Sequence, residues 1–525
     1  MKAFLLEMMG LVVMLPLLSA CKKDQAENAE SLQKPNIIVV LADDMGYSDL
    51  GCTGSEIATP NLDRLAQNGL LFTHAYNASR CCPSRASLLT RLYQHRAGIG
   101  FMNGDMGLPQ YQGYLNDKCV TIAEVLQQSG YRTLMSGKWH VGDKPEQWPS
   151  NRGFDQFYGI PAGGGLYFYP SKFVNRPIYR NGEAVVPDSG SFYSTDNFTD
   201  EAIDFIDKAK ETNQPFFLYL AYIAPHFPLQ ALPEDIRKYQ GRYDQGYAAT
   251  RDKRLARQKE LNIVDRDVVL SPEDFPDWEQ VEDKAKEIRK MEVYAAQVDR
   301  LDQNIGKLID FLRHSGQLEN TVIFFLSDNG ASAETFERAP EAEIGTAHSF
   351  TSYGQHWANV SNTPYRMYKS MEHEGGIITP LIVYWPKGIA QIGKLIDTPV
   401  HITDIMPTCL ELANARYPEQ FNAKDILPCD GNSILPLFHS PNTVSNRHFF
   451  WEHMGNGAVR VGHMKLVRRH HQPWELYDLG ADATETYDLS GQHPQQAEEL
   501  QQRWQKWADE LGVQPWPITD NKKVE

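Results

Sequence analysis

Two short apolar runs, far apart in the chain, both end in acidic residues, and this pairing limits the fold more than any other feature. Asn36-Ile37-Ile38-Val39-Val40-Leu41-Ala42 is followed by Asp43-Asp44, and Thr321 to Ser327 by Asp328-Asn329-Gly330. Nearly continuous runs of β-branched and aliphatic residues, too short for helices, read as strands buried on both faces, as in a parallel sheet. In open parallel sheets, ligands bind at the carboxyl ends of strands. The runs therefore predict a sheet that gathers carboxylates along one edge.

The remaining pattern agrees. Thr59-Pro60 opens a helix through Leu65 that stops at Gly69, and Thr121 to Gln128 forms another, ended by Gly130. Arg132 to Ser136 and Pro215 to Tyr222 read as strands, and Lys284 to His314 as a long amphipathic helix ended by Gly316. Pro380 to Trp385 is a strand that closes this domain or bridges to the next. Strands alternating with helices predict an α/β domain with a mostly parallel sheet flanked by helices, over residues 35–385. The tail changes character. His448 to Glu452, Ala458 to Val461, Met464 to Arg468 and Trp474 to Asp478 are short strand-like runs, and Pro494 to Glu510 is a helix that would pack on them. Residues 386–525 are expected to form a smaller α+β subdomain with an antiparallel sheet.

Composition narrows the partners. The 525 residues carry a net charge of -16, which disfavours nonspecific nucleic-acid binding and distant attraction of a polyanion. An anionic substrate must be captured by local positive groups. Met1-Lys2, the apolar run Leu11 to Leu18 and the string Leu18-Ser19-Ala20-Cys21 resemble a bacterial lipoprotein signal, although Glu7 is unusual there. Residues 1–20 are expected to be removed, leaving lipid on Cys21 and a polar tether over 21–34, with cleavage without lipid as the alternative. The expected location is a bacterial periplasm or outer membrane, anchored through Cys21.

Cys81-Cys82-Pro83-Ser84-Arg85, followed by Leu88 and Thr90, resembles the maturation signature of type I sulfatases, within the alkaline phosphatase superfamily. In that family the first Cys is oxidised to formylglycine, whose hydrate attacks sulfur. The resemblance extends in order through Asp43-Asp44, Gly137-Lys138-Trp139-His140, Pro225-His226-Phe227-Pro228, Asp328-Asn329 and the block Asn362 to Gly376 around Lys369. Trp474 to Leu479, Pro515-Trp516-Pro517 and the charged stretch Arg251 to Leu270 are similar to bacterial arylsulfatases. Arg91 and Ile378 stand where many relatives carry Gly and Arg, which implies a local backbone difference and a packing change.

The resemblance implies a sulfuric ester hydrolase with one divalent cation, calcium or magnesium, bound by Asp43, Asp44, Asp328, Asn329 and Cys81 as formylglycine. Carboxylates and an amide oxygen suit such a hard cation. Lys138 would bind sulfate and formylglycine, Arg85 would add positive charge where the sulfuryl oxygens lie, and His140 would take a proton from the diol. His226 would protonate the leaving alcohol, and Lys369 would bind sulfate and the leaving oxygen. A formylglycine-generating maturation enzyme is implied as a partner and a sulfated carbohydrate as substrate. A phosphonate or phosphate ester hydrolase of the same superfamily and a catalytically inactive glycan-binding lipoprotein are the alternatives. Gly163 to Tyr169, His348, Tyr353, His356 and Trp357 are candidate pocket residues. With Cys21 and Cys81 assigned, Cys409 and Cys429 are a candidate disulfide, and buried free thiols are the alternative.

Overall fold

The computed structural model describes residues 34–440 and 447–518; the expected signal segment, Cys21 and nearly all of the tether lie outside them. Strand β1 (Asn36–Asp43) is the centre of the fold. Its residues alternate between two cores, as the pleat requires. Ile38, Val40 and Ala42 face one core with Leu301, Ile305 and Leu308 of the Lys284–His314 helix. Ile37, Val39 and Leu41 face the other with Leu89 of the Cys81–Thr90 helix and Val125 of the Ile122–Gln128 helix. Burial on both faces explains the unbroken apolar run.

The remaining strands of the large sheet are β2 (Leu70–Tyr76), β3 (Arg132–Lys138), β4 (Gln156–Ile160), β5 (Ile178–Arg180), β6 (Glu183–Val185), β7 (Phe216–Pro225), β8 (Thr321–Ser327), β9 (Ile378–Tyr384), β10 (Lys394–Ile396) and β11 (Val400–His401). The sheet has 11 strands, in the spatial order β10-β2-β9-β8-β1-β7-β3-β4-β5-β6, with β11 also on β2. β1 is parallel to β7 and β8, and β3 is parallel to β7, so their carboxyl ends share one edge. β9 runs antiparallel between β2 and β8, which makes the sheet mixed but mostly parallel. Ile378, at the start of β9, is buried and pairs with Tyr76, a packing role.

Four antiparallel strands, His448–His453, Asn456–Val461, Met464–Arg468 and Glu475–Asp478, form the expected C-terminal sheet. The Pro494–Leu511 helix lays Leu500, Trp504, Trp507 and Leu511 against Val459, Leu466 and Leu476.

The candidate Cys409–Cys429 disulfide is not formed; both are free thiols, as are the other described cysteines. Cys409 sits on the buried face of the Ile405–Leu412 helix, inside the second core, whereas Cys429 is exposed on a loop. Among the described residues no helix is long and apolar enough to cross a membrane.

Candidate active site

The shared edge of β1, β3, β7 and β8 presents Asp43, Lys138, His226 and Asp328 at or just after the strand ends. Asp44 breaks the strand alternation. Its backbone is left-handed at φ 66°, and the reactive atoms of Asp43, Asp44 and His226 lie within 4.8 Å of one another. The following loop is pinned from below, where the Gly46 amide donates to Asp49 Oδ2 at 2.8 Å. Arg254, buried on the Gly246–Glu260 helix, and Tyr294 of the long helix both donate to Asp49 at 2.7 Å. The turn after Asp328-Asn329 is equally tight. A Cβ on Gly330 would meet the Gly375 carbonyl at 1.8 Å, so no side chain fits there.

Asp43 Oδ1 and Asn329 Oδ1 are buried and have no hydrogen-bond partner. Burying polar oxygens unpaired is unfavourable, so such oxygens point to a missing positive ligand. They belong to a set of three carboxylates and one amide, all oxygen donors, at buried positions. This set fits a hard divalent ion.

Cations surround the acids. Lys138 Nζ donates to Asp43 Oδ2 at 2.6 Å, and Lys369 Nζ donates to Asp44 at 2.9 Å. Arg85 grips Asp328 Oδ2 through Nε at 3.0 Å and a terminal nitrogen at 2.7 Å, and also donates to the Lys138 carbonyl at 2.9 Å. Asn329 Nδ2 donates to Asp44 Oδ1 at 2.7 Å, which leaves its amide oxygen free. Burial raises the Asp43 pKa, but Lys138, His226 and Arg85 outweigh it and hold the carboxyl at about 2.

Cys81 is the first residue of its helix and only 2% exposed. The partial positive charge of the helix start favours an anion there. A hydrogen bond with Cys82 holds the thiol well below its usual range against burial, and Lys138 and His140 add to the effect. Sγ of Cys81, Sγ of Cys82 and a ring nitrogen of His140 lie within 4.8 Å of one another. Burial, reinforced by Lys138, pushes His140 down to about 4, which leaves it neutral and able to accept a proton near pH 7. His226 Nδ1 lies 2.6 Å from the Phe227 carbonyl, an acceptor only, so that nitrogen carries a proton and Nε2 faces Asp44 Oδ2 at 3.6 Å.

The structure therefore brings Asp43, Asp44, Cys81, Arg85, Lys138, His140, His226, Asp328, Asn329 and Lys369 to one edge of the sheet. Comparison with known proteins names the architecture. The Sulfatase family model matches residues 35–415. The chain belongs to the sulfatase family. A second model, N-sulphoglucosamine sulphohydrolase, C-terminal, matches residues 365–511. This sulfatase is 37% identical to an uncharacterised sulfatase of Schizosaccharomyces pombe, over 93% of this chain and 95% of that one. It is 36% identical to an arylsulfatase of Klebsiella aerogenes, over 78% and 93%. The crystal structure of Ps i-CgsB in complex with k-i-k-neocarrahexaose superposes with a TM-score of 0.69 at 30% identity, covering 91% of this chain and 93% of that one. The chain is a sulfuric ester hydrolase with the alkaline phosphatase-like fold.

Two residues of this sulfatase escape sequence reasoning. Glu334 accepts from Lys369 Nζ at 2.8 Å and from Arg80 at 3.2 Å. Burial opposes its ionisation, but Lys369 and Arg80 prevail and hold it at about 2. Neither Glu334 nor Arg80 has a spacing signature; only the position of Arg80 just before Cys81 marks it.

The candidate pocket residues divide. Gly163 and Gly164 lie over the site, where a Cβ on Gly164 would stand 3.3 Å from Asp43 Oδ2 and one on Gly163 3.0 Å from His140 Nε2. Tyr167 is fully buried and donates to the His226 carbonyl at 2.7 Å, so it supports the site from inside. Trp357 and Tyr353 belong to a core cluster, with Tyr353 stacked on Tyr294 at 4.4 Å. His348 is exposed and His356 packs on Tyr247. Arg91 takes the left-handed helix cap, φ 60°, that glycine favours, and its guanidinium lies 4.4 Å from the Tyr417 ring centroid.

Proposed function

We propose that this sulfatase removes sulfate from a sulfated carbohydrate, with residue 81 as formylglycine and one divalent cation, calcium, held by Asp43, Asp44, Asp328, Asn329 and the matured residue 81. The pair of buried, unpartnered oxygens on Asp43 and Asn329, at the edge where Cys81 starts its helix, carries this reading. The Ps i-CgsB complex with k-i-k-neocarrahexaose supports a carbohydrate ester. Maturation by a formylglycine-generating enzyme is proposed from the Cys81 to Arg85 string, and export with lipid on Cys21 from Leu18 to Cys21.

A hydrated formylglycine at residue 81 would supply a hydroxyl nucleophile, and a cation held by Asp43, Asp44, Asp328 and Asn329 would supply polarisation of the sulfate oxygens. The chain's own residues do the rest. Lys138 and Lys369, each anchored on a site carboxylate, present fixed positive charge to the sulfate oxygens. Preorganised charge of this kind is usually the largest catalytic contribution. Arg85 locks the Asp328 carboxylate from behind and keeps its position as charge moves. Neutral His140, its ring nitrogen beside residue 81, would hold the proton released at that residue. His226, with Nδ1 committed to Phe227, is left with Nε2 as the nitrogen that would serve the leaving oxygen. Glu334 aligns Lys369.

Parallel assays of matured protein on sulfate and phosphate esters test the reading. Sulfate ester cleavage should dominate and should fall on chelation, then return with calcium. Dominant phosphodiester or phosphonate cleavage would overturn it.

A further inference from the structure

Two cavities flank the Lys369-Ser370-Met371 segment and share Met371 and Arg469 in their walls. They are similar in size, about 570 and 510 Å³, and differ in their acids. The first is lined by Arg80, Arg469 and His470, and its one acid, Glu334, is already paired with Lys369 and Arg80. The second carries Glu273 and Asp274, the latter accepting from Tyr368; of its cations, Arg366 and Lys369 are bound to Glu475 and to Asp44 with Glu334, and Arg469 stands on the wall shared with the first. Arg469 has no hydrogen-bond or ion-pair partner for its guanidinium among the described residues, and it is exposed. The first cavity therefore holds an uncommitted cation with no uncommitted acid beside it, whereas in the second the same arginine stands across from Glu273 and Asp274.

The first cavity also has an aromatic wall. Trp516 packs on Phe101 with ring centroids 4.9 Å apart, and Phe101 is stacked over the buried His453 at 5.7 Å and 19°. Flat apolar rings held rigidly beside a free guanidinium can pack on the apolar face of a ring while the guanidinium forks onto its anionic substituent. A chain with a net charge of -16 repels polyanions at long range, so an unpaired local cation matters for capture.

We propose that the substrate carries a second anionic group beside the scissile sulfate, and that Arg469, assisted by His470, binds this group in the first cavity against the Trp516–Phe101 wall. This rests on the sulfated-carbohydrate reading above. The second anion is a carboxylate or a further sulfate, and the acidic cavity excludes it from the opposite side. Arg469 and His470 lie between the last two strands of the C-terminal sheet and Trp516 follows the last helix, so the C-terminal part of the chain sets this selectivity.

The test uses full-length protein with Cys81→Ala, so that ligands bind without turnover. Size-matched sulfated disaccharides with no second charge, a uronate carboxylate or a second sulfate are titrated by calorimetry. Either second anion should tighten binding by about tenfold or more, and comparing the two distinguishes the carboxylate from the sulfate. Arg469→Gln should bring the charged ligands back to the Kd of the singly charged one, with melting temperature as the folding control. Glu273→Gln with Asp274→Asn should keep the preference. Equal Kd values across the three ligands, a preference that survives Arg469→Gln, or one lost with the acidic pair changed would overturn the proposal. Matured wild-type enzyme is assayed alongside on an aryl sulfate. A binding preference without any sulfate ester cleavage would sink the proposed function and leave only an anion site at Arg469; cleavage without the preference would keep the function and overturn this inference.

Discussion

Asp43, Asp44, Asp328 and Asn329 stand at or just beyond strand ends in one parallel sheet, and none is more than 2% exposed. Arg80, Phe101, Arg469 and Trp516, which wall the positive cavity, come from four separate segments, and each is half-buried or exposed. The first group is fixed by a core on both sheet faces, and the second is carried by loops. Chemistry that must not shift sits on the rigid edge, while substrate selection sits on segments that can vary without disturbing it.

That contrast can be broken or sharpened by mutation. Cys81→Ala in matured protein should lower kcat by at least about 10⁴-fold, with a melting temperature near that of the wild type; wild-type turnover would remove residue 81 from the chemistry. Asn329→Ala removes an amide oxygen and the hydrogen bond to Asp44. Calcium affinity by metal titration should fall by about 10–100-fold, and excess calcium should restore part of the activity. Glu334→Gln loosens Lys369 and Arg80 without touching the metal ligands. It should reduce kcat/KM by about tenfold and leave calcium affinity unchanged.

Between the two regions lies Glu372, 1% exposed, accepting from Ser79 at 3.0 Å and with its second oxygen unpartnered. Burial, opposed by Ser79 and reinforced by Glu452, pushes its carboxyl pKa from 4.5 up to about 8. The folded protein thus holds this proton more tightly than the unfolded chain does. The stability it contributes is complete below about pH 4.5 and is lost as the pH rises through about 8. Melting temperatures measured from pH 5 to 8.5 should show this decline, and Glu372→Gln should flatten it. Arg91→Gly relieves a left-handed backbone but removes the contact with Tyr417, so stability should change by less than about 1 kcal/mol in chemical denaturation.

The rigid region was legible in the sequence because its residues obey positional rules. Asp43-Asp44 and Asp328-Asn329 follow doubly buried strands, and Cys81 to Arg85 is a contiguous string. Lys138, His140, His226 and Lys369 were reached through short blocks of the same resemblance. The open region was not legible. Glu334, Arg469 and Trp516 meet only through loop paths that no periodicity encodes, and aromatic residues such as Trp357 look alike whether they line a cleft or fill a core. The Cys409–Cys429 pairing failed for a related reason. The buried face of the Ile405–Leu412 helix contains Ile405 and Cys409, which points the thiol into the core and away from the exposed loop of Cys429.

Mass analysis of the peptide containing residue 81, taken from protein that turns over a sulfate ester, tests the central claim most directly. The account predicts an aldehyde at that position in the active fraction. A fully active preparation that retains the cysteine thiol in every molecule would contradict it.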